Sequence, residues 1–248
     1  MNSGGIRGVP TSGVAPGLRP TAPPGGRRIA VIAPHPDDEV LGCGGTLRQA
    51  RENDPRTEIR VLYLTDGERG SSDASMPLDE VARLRREEAR KGLAVLGCAP
   101  GAHAAFADGR LAVGPGEVRR VVDFLRECEP EIVMTPAPLD PHRDHRAATA
   151  ILAQALLVPG APQPAIWVYE VQPCLPMNAL VRIDAVEGVK ARALAEHLSQ
   201  NPERLMRAAA GLAACRALYA PPGWQSAEAF RIGSAALFLR LCRSPGAC

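Results

Sequence analysis

Aromatic residues are scarce in this 248-residue chain: two Trp, three Tyr and four Phe, 4% of the whole. A surface that stacks nucleic-acid bases needs such rings, so single-strand binding has little to stand on. An excess of one charge is also missing. Lys and Arg number 29 against 27 Asp and Glu, mixed along the chain, and a formal net charge of +2 makes no phosphate-tracking surface. No apolar run approaches the eighteen or so residues of a membrane span. The N-terminus lacks a hydrophobic signal core, so export is not expected. The seven cysteines (Cys43, Cys98, Cys128, Cys174, Cys215, Cys242, Cys248) are odd in number, scattered and without a Cys-x-x-Cys pair. This argues against a disulfide framework and a cysteine zinc knot, and for a reducing, cytoplasmic compartment. The glycines form no Gly-x-Gly-x-x-Gly in the dinucleotide position, which leaves a nicotinamide site unsupported. Internal repeats are absent.

What is present is an ordinary globular composition, 46% hydrophobic and 23% charged, with length for one sizeable α/β domain. Residues 1–26 are rich in Gly and Pro and read as a disordered tail; 27–248 read as the single domain. Arg28–Ala33 has the β-branched content of a buried parallel strand. Gly44, Gly45 and Thr46 are expected to open a helix that runs to about Asn53, the glycines letting the backbone turn tightly beside the metal loop and the helix pack close to the strand. Glu58–Leu64 reads as the next strand, and Leu78 to about Gly97 as a charged amphipathic helix in which Arg85 and Glu88 can pair on a solvated face. Further strands are expected at 104–106, 131–135, 165–171 and 178–184, with helices at 117–127 and 146–157. Asp184 is a candidate N-cap for a helix to about Ser199, and Pro202 suits the first turn of another through about Leu218. The stretch 235–241 fits a strand or a helix turn.

Two clusters carry chemistry. Pro34-His35-Pro36-Asp37-Asp38-Glu39 follows the first strand, and Asp140-Pro141-His142-Arg143-Asp144-His145 follows the strand near 131–135. Three of the five histidines fall in them. Two imidazoles and a carboxylate suit zinc or a related divalent ion and leave a position open for water. On this reading His35, Asp38 and His145 are ligands and Asp37 is the general base. Asp144 is placed to orient an imidazole through Nδ1, or else to cap the helix that follows. Either cluster alone could be a loop whose carboxylates cap a helix; both together, each after a strand, make that reading poor. His103 and His197 have no such company and read as ordinary surface or core residues.

These motifs resemble the LmbE-like, PIG-L family of metal-dependent N-deacetylases. His35-Pro36-Asp37-Asp38-Glu39 matches its first motif and His142-Arg143-Asp144-His145 its second. Weaker likenesses run through Thr65-Asp66-Gly67-Glu68, Arg85-Arg86-Glu87-Glu88, Asp108-Gly109-Arg110-Leu111, Tyr169-Glu170-Val171 and Ala227-Glu228-Ala229-Phe230. The resemblance implies a Rossmann-like α/β fold: a mostly parallel sheet, helices on both faces, and the metal site at the carboxyl edge of the strands. It implies that the Arg-x-x-Glu element braces the site loops, and that Glu68, Arg69 and Asp108 contact substrate.

The implied reaction is zinc-dependent removal of an N-acetyl group from an N-acetylglucosamine-containing glycoside or related amino sugar, with Fe2+ as an alternative ion. His142, if protonated, would stabilise the oxyanion or deliver a proton to the amine, and Glu39 would support the loop. Two other readings are an amidase of the same mechanism on another amide, such as a thiol conjugate, and a non-catalytic sugar-binding module. The partner expected is a small-molecule glycoside, with neither nucleic acid nor membrane span; a homo-oligomer is compatible with the Ala- and Leu-rich C-terminal helices. One departure stands out. Certain family members place a Tyr two residues before the first His of the second motif, where this chain has Asp140.

Overall fold

The computed structural model describes residues 17–71, 73, 75–172 and 177–243. In chain order its strands are β1 (Arg19–Pro20), β2 (Arg28–Ala33), β3 (Glu58–Thr65), β4 (Ala102–Phe106), β5 (Ile132–Thr135), β6 (Ala165–Tyr169), β7 (Ala179–Arg182) and β8 (Ala227–Ser234). The helices are α1 (Asp38–Asn53), α2 (Leu78–Leu96), α3 (Pro115–Cys128), α4 (Arg143–Leu157), α5 (Glu187–Ala195), α6 (Pro202–Ala217) and α7 (Ala235–Cys242), with a 3-10 turn at Leu198–Gln200. The strands form one sheet in the order β1-β7-β8-β6-β5-β2-β3-β4. Every pairing is parallel except the two made by β8, which runs antiparallel to β6 and β7.

Alternation along β2 divides the core. Ala30 and Ile32 join a cluster with residues of α3, α4 and α7, whereas Ile29, Val31 and Ala33 join one with residues of α1 and α2. Helices therefore cover both faces, as a mostly parallel sheet requires. From β2 the chain winds outward to β3 and β4 on one side, and β5 and β6 lie on the other. The β2–β5 junction is a topological switch point, where a crevice opens at the carboxyl ends of the strands. Both chemical motifs emerge there. Among the described residues no helix is long and apolar enough to cross a membrane.

Several local expectations are corrected. Helix α1 starts at Asp38, inside the first motif, and the glycines lie within it. They do not open it, but the expected close packing is found: a Cβ at Gly42 would run into the Tyr169 ring, so its absence lets the helix press onto the sheet. Arg85 and Glu88 are both buried, on no solvated face, and point to different partners. Asp184 does not cap α5, whose N-cap is Val186. Instead its carboxylate accepts from the backbone of Gln225 and Ser226 and binds Arg182. Residues 1–16 of the expected tail lie outside the described residues, but Arg19 and Pro20 pair with β7 as a sheet edge. Strand β8 had no counterpart in the sequence reading, and 235–241 is helical.

Candidate metal centre and active site

The His-Pro-Asp-Asp turn joins β2 to α1. Asp38 opens the helix, and its carboxylate folds back so that Oδ2 accepts the His35 N–H at 2.9 Å and lies 3.0 Å from His35 Nδ1. Its other oxygen lies 3.3 Å from His145 Nε2. One buried carboxylate thus bridges the two imidazoles read as ligands. Asp37, one residue earlier, is the N-cap and holds φ 125°, ψ −26°, a conformation that costs a residue with a Cβ about 1–3 kcal/mol. Its backbone N–H donates to Glu39 Oε2 at 3.2 Å, and Glu39 Oε1 accepts the Tyr63 hydroxyl at 2.5 Å. Glu39 therefore supports the loop, as the sequence implied.

The second motif arrives from β5. His142 caps α4: its Nδ1 accepts the Asp144 N–H at 3.2 Å. The Asp144 carboxylate does not reach back to His142. Its Oδ2 accepts the Gly109 N–H at 2.7 Å and lies 3.4 Å from His35 Nε2. Within this second motif the imidazole with a carboxylate at Nδ1 is His145, 3.2 Å from Asp140 Oδ2. His142 and His145 lie with ring centroids 4.7 Å apart and planes tilted by 38°, on one side of the first turn of α4. Asp140, at the position where certain relatives carry Tyr, is fully buried and faces His145.

The remaining candidates also converge. Asp108 Oδ1 lies 3.2 Å from His35 Nε2, while Oδ2 accepts the Arg69 N–H at 2.9 Å. Glu68 accepts the Asp108 N–H at 2.8 Å, so its carboxylate fastens one loop to the next. Arg69 itself is exposed. Arg85 is a residue whose role the sequence indicated only through resemblance. It donates to the carbonyls of Gly67 and Pro36 and to Asp37 Oδ2 (2.8, 2.7 and 3.2 Å), while Glu88 accepts from Ser199 N and Oγ. The Arg-x-x-Glu element does brace the site loops. His103 is not idle either: it binds Asp66, which also binds Arg86.

Proton affinities follow from this packing. Burial raises Asp37 to about 6, with Arg85 opposing and Asp38 adding to the rise. Burial works against ionised Asp38, but His145 and His35 outweigh it and hold its pKa well below the carboxylate range. Burial pulls His145 down, yet Asp38 and Asp140 lift it to about 9. His142 is lowered, by burial and then by His35 and His145.

The donor set fits a divalent cation. Neutral imidazoles, the form that ligates, would leave Asp37, Asp38, Asp108, Asp140 and Asp144 buried with Arg85 as the buried guanidinium among them. His35 Nε2 and Asp144 Oδ1 are also buried without an aligned hydrogen bond. Two overlapping groups bring ligand atoms within 4.8 Å of one another: His35, His142, His145 and His35, Asp108, Asp144.

Comparison with known proteins agrees. The family described as PIG-L, GlcNAc-PI de-N-acetylase, matches residues 30–156. The chain is 31% identical over 196 residues to the diacetylchitobiose deacetylase of Thermococcus kodakarensis, covering 71% of each chain. Its fold matches the N,N′-diacetylchitobiose deacetylase of Pyrococcus horikoshii with a TM-score of 0.73, at 25% identity and 86% coverage of each chain. A 4-carboxy-2-hydroxymuconate hydratase from Pseudomonas putida gives 0.71 at 22% identity, over 82% of this chain and 95% of that one, a likeness of fold alone. With both motifs inside the matched span and their side chains gathered in one crevice, this chain belongs to the PIG-L family of LmbE-like deacetylases and is a hydrolase of that family.

Proposed function

We propose that this enzyme removes the acetyl group from an N-acetylglucosamine-containing glycoside or related amino sugar, with His35, Asp38 and His145 holding a divalent ion, zinc in the first instance. The supporting observation is the pairing of two adjacent acids with opposite surroundings. Asp38 lies between two imidazoles, whereas Asp37 is held beside it in an unusual backbone conformation against Arg85. One is suited to a cation and the other to a proton.

When bound, the ion acts as a Lewis acid that acidifies a water and polarises the acyl carbonyl. Asp37 accepts the proton of the attacking water as oxygen bonds to the carbonyl carbon. His142 spends its Nδ1 lone pair on the Asp144 N–H, which leaves its proton on Nε2. With its pKa lowered it is a neutral donor at neutral pH, suited to hydrogen-bond the developing oxyanion. Protonated Asp37 then returns its proton to the amine nitrogen as the C–N bond breaks, giving acetate and a free amine. Asp108 is buried against His35 and accepts the N–H of the exposed Arg69, which supports these two as sugar contacts, and Asp144 holds the Asp108 loop through Gly109. Among the described residues Cys43, Cys98, Cys128 and Cys215 are free thiols, which supports the reading of a cytoplasmic enzyme.

Acetate release from a panel of N-acetylglucosamine glycosides, with and without chelator, tests this beside Asp37→Asn. Chelator-sensitive release is expected, with Asp37→Asn keeping its metal and losing roughly 10²- to 10⁴-fold in rate. Metal-loaded protein that releases acetate from no member would move the assignment to another amide. Unchanged turnover in Asp37→Asn would remove the base.

A further inference from the structure

Asp140 sits at the end of the loop from β5, wholly buried, and both its carboxylate oxygens are directed. Oδ1 accepts the His142 N–H at 2.8 Å and shapes the turn into α4. Oδ2 lies 3.2 Å from Nδ1 of His145. Neither of these two facing atoms has an aligned hydrogen bond elsewhere, and both are sealed from solvent. The loop around them is fastened separately, because Arg146 Nη1 donates to the carbonyls of Asp140 and Pro141 at 2.7 and 2.8 Å. The main chain of Asp140 thus has an anchor besides the carboxylate.

A neutral imidazole has one N–H and one lone pair. A buried carboxylate behind Nδ1 puts the N–H there and turns the lone pair of Nε2 toward Asp38, 3.3 Å away on the inner side of the ring. An imidazole anchored in this way is also a stronger donor to a cation. We propose that Asp140 is a positioning residue for the metal centre: it fixes the tautomer and the plane of His145, so that Nε2 is presented as a ligand. This rests on the metal reading given above. It assigns the buried acid to the ligand shell's support and not to contact with substrate.

The test is zinc affinity of the full chain, measured by competition with a chromogenic chelator, together with the melting temperature of metal-free protein. Asp140→Asn keeps an oxygen for the His142 N–H but offers His145 an amide. Its zinc Kd is expected to rise roughly 10- to 100-fold. Asp140→Ser, whose hydroxyl still caps the turn but falls short of His145, should show the same loss. Arg146→Met loosens the loop clamp and leaves the carboxylate, and its Kd should stay within about threefold of wild type if the carboxylate acts on the ring. A wild-type Kd in both Asp140 variants overturns the role. An equal loss in Arg146→Met overturns it too, because loop integrity would then explain the effect. A wild-type protein that takes up no zinc, cobalt or ferrous iron overturns the metal reading itself and this role with it.

Discussion

Asp37 has a left-handed-side φ of 125° that glycine would adopt freely. Evolutionary convenience would place glycine here; chemistry places a carboxylate. Asp37→Gly should therefore abolish turnover while stabilising the metal-free protein by about 1 kcal/mol, the strain relieved less the entropy that glycine adds. That is a rise of roughly 2–4 °C in melting temperature for a chain of this size. A lower melting temperature would show that the Arg85–Asp37 contact outweighs the strain. His197 illustrates the opposite kind of residue. It is fully buried beside Gly92, both ring nitrogens lack partners, and burial drops its pKa to about 4 from 6.5. Between these values the unfolded chain binds a proton that the folded one refuses. The stability due to neutral His197 is complete above pH 6.5 and is lost as pH falls toward 4. His197→Leu should flatten the pH dependence, so that the wild type loses about 2 kcal/mol more than the variant between pH 7.5 and pH 5. Urea midpoints at the two pH values measure it, and parallel curves would refute it.

Helix α1 is the element on which the site depends, and one of its turns is served from outside. Gly45 and Thr46 donate their N–H groups to Glu228 at 2.8 Å, and Lys190 donates to the Leu41 carbonyl at 2.7 Å. The Leu41 carbonyl and the Gly45 N–H are partners in an ordinary helical ladder; here each has a charged side chain, and the two charges meet at 2.7 Å. Lys190→Met strands a buried carboxylate and should cost about 3 kcal/mol. Lys190→Met with Glu228→Gln should recover most of it, because the amide oxygen can still accept the helix N–H. Additive losses in urea unfolding would argue against the coupling. The same arrangement explains why this part of the fold was hard to read from sequence. Gly44 and Gly45 read as the opening of a helix, yet they lie inside α1, where Gly42 meets Tyr169 and Gly45 meets Ile183 and Glu228 from distant segments. Strand β8 was hidden for a related reason: Glu228, polar by composition, is buried by a lysine from α5. Arg85 and Glu88 look like a solvated pair because no sequence spacing shows that loops at 36, 67 and 199 will close over them.

At the scale of the whole molecule more was legible. Apolar runs ended by His-Pro-Asp-Asp and by His-Arg-Asp-His gave the central strands, and a parallel α/β sheet brings such ends to one edge. What stayed out of reach was which acid faces which imidazole, because that depends on side-chain rotations within the crevice. If His35, Asp38 and His145 are the ligands, zinc at a hundredfold excess over Kd should stabilise the fold by about 2.7 kcal/mol, or roughly 5–10 °C. The shift should vanish in Asp38→Ala and His145→Ala and persist in Asp108→Ala. Loss in Asp108→Ala with persistence in Asp38→Ala would favour the His35, Asp108, Asp144 group instead.

The switch point between β2 and β5 has a consequence in time. The residues between Glu39 and Asp140 include β3, α2, β4 and α3, one whole wing of the sheet, which lies between the two half-sites in sequence but not in space. A chain leaving the ribosome presents His35 and Asp38 long before His145 exists, and a refolding chain cannot join them until the β2–β5 ladder has zipped. Capture of the ion is thereby tied to a long-range pairing, Ile29 with Ile132, and a partly folded chain has no working centre with which to act on substrate.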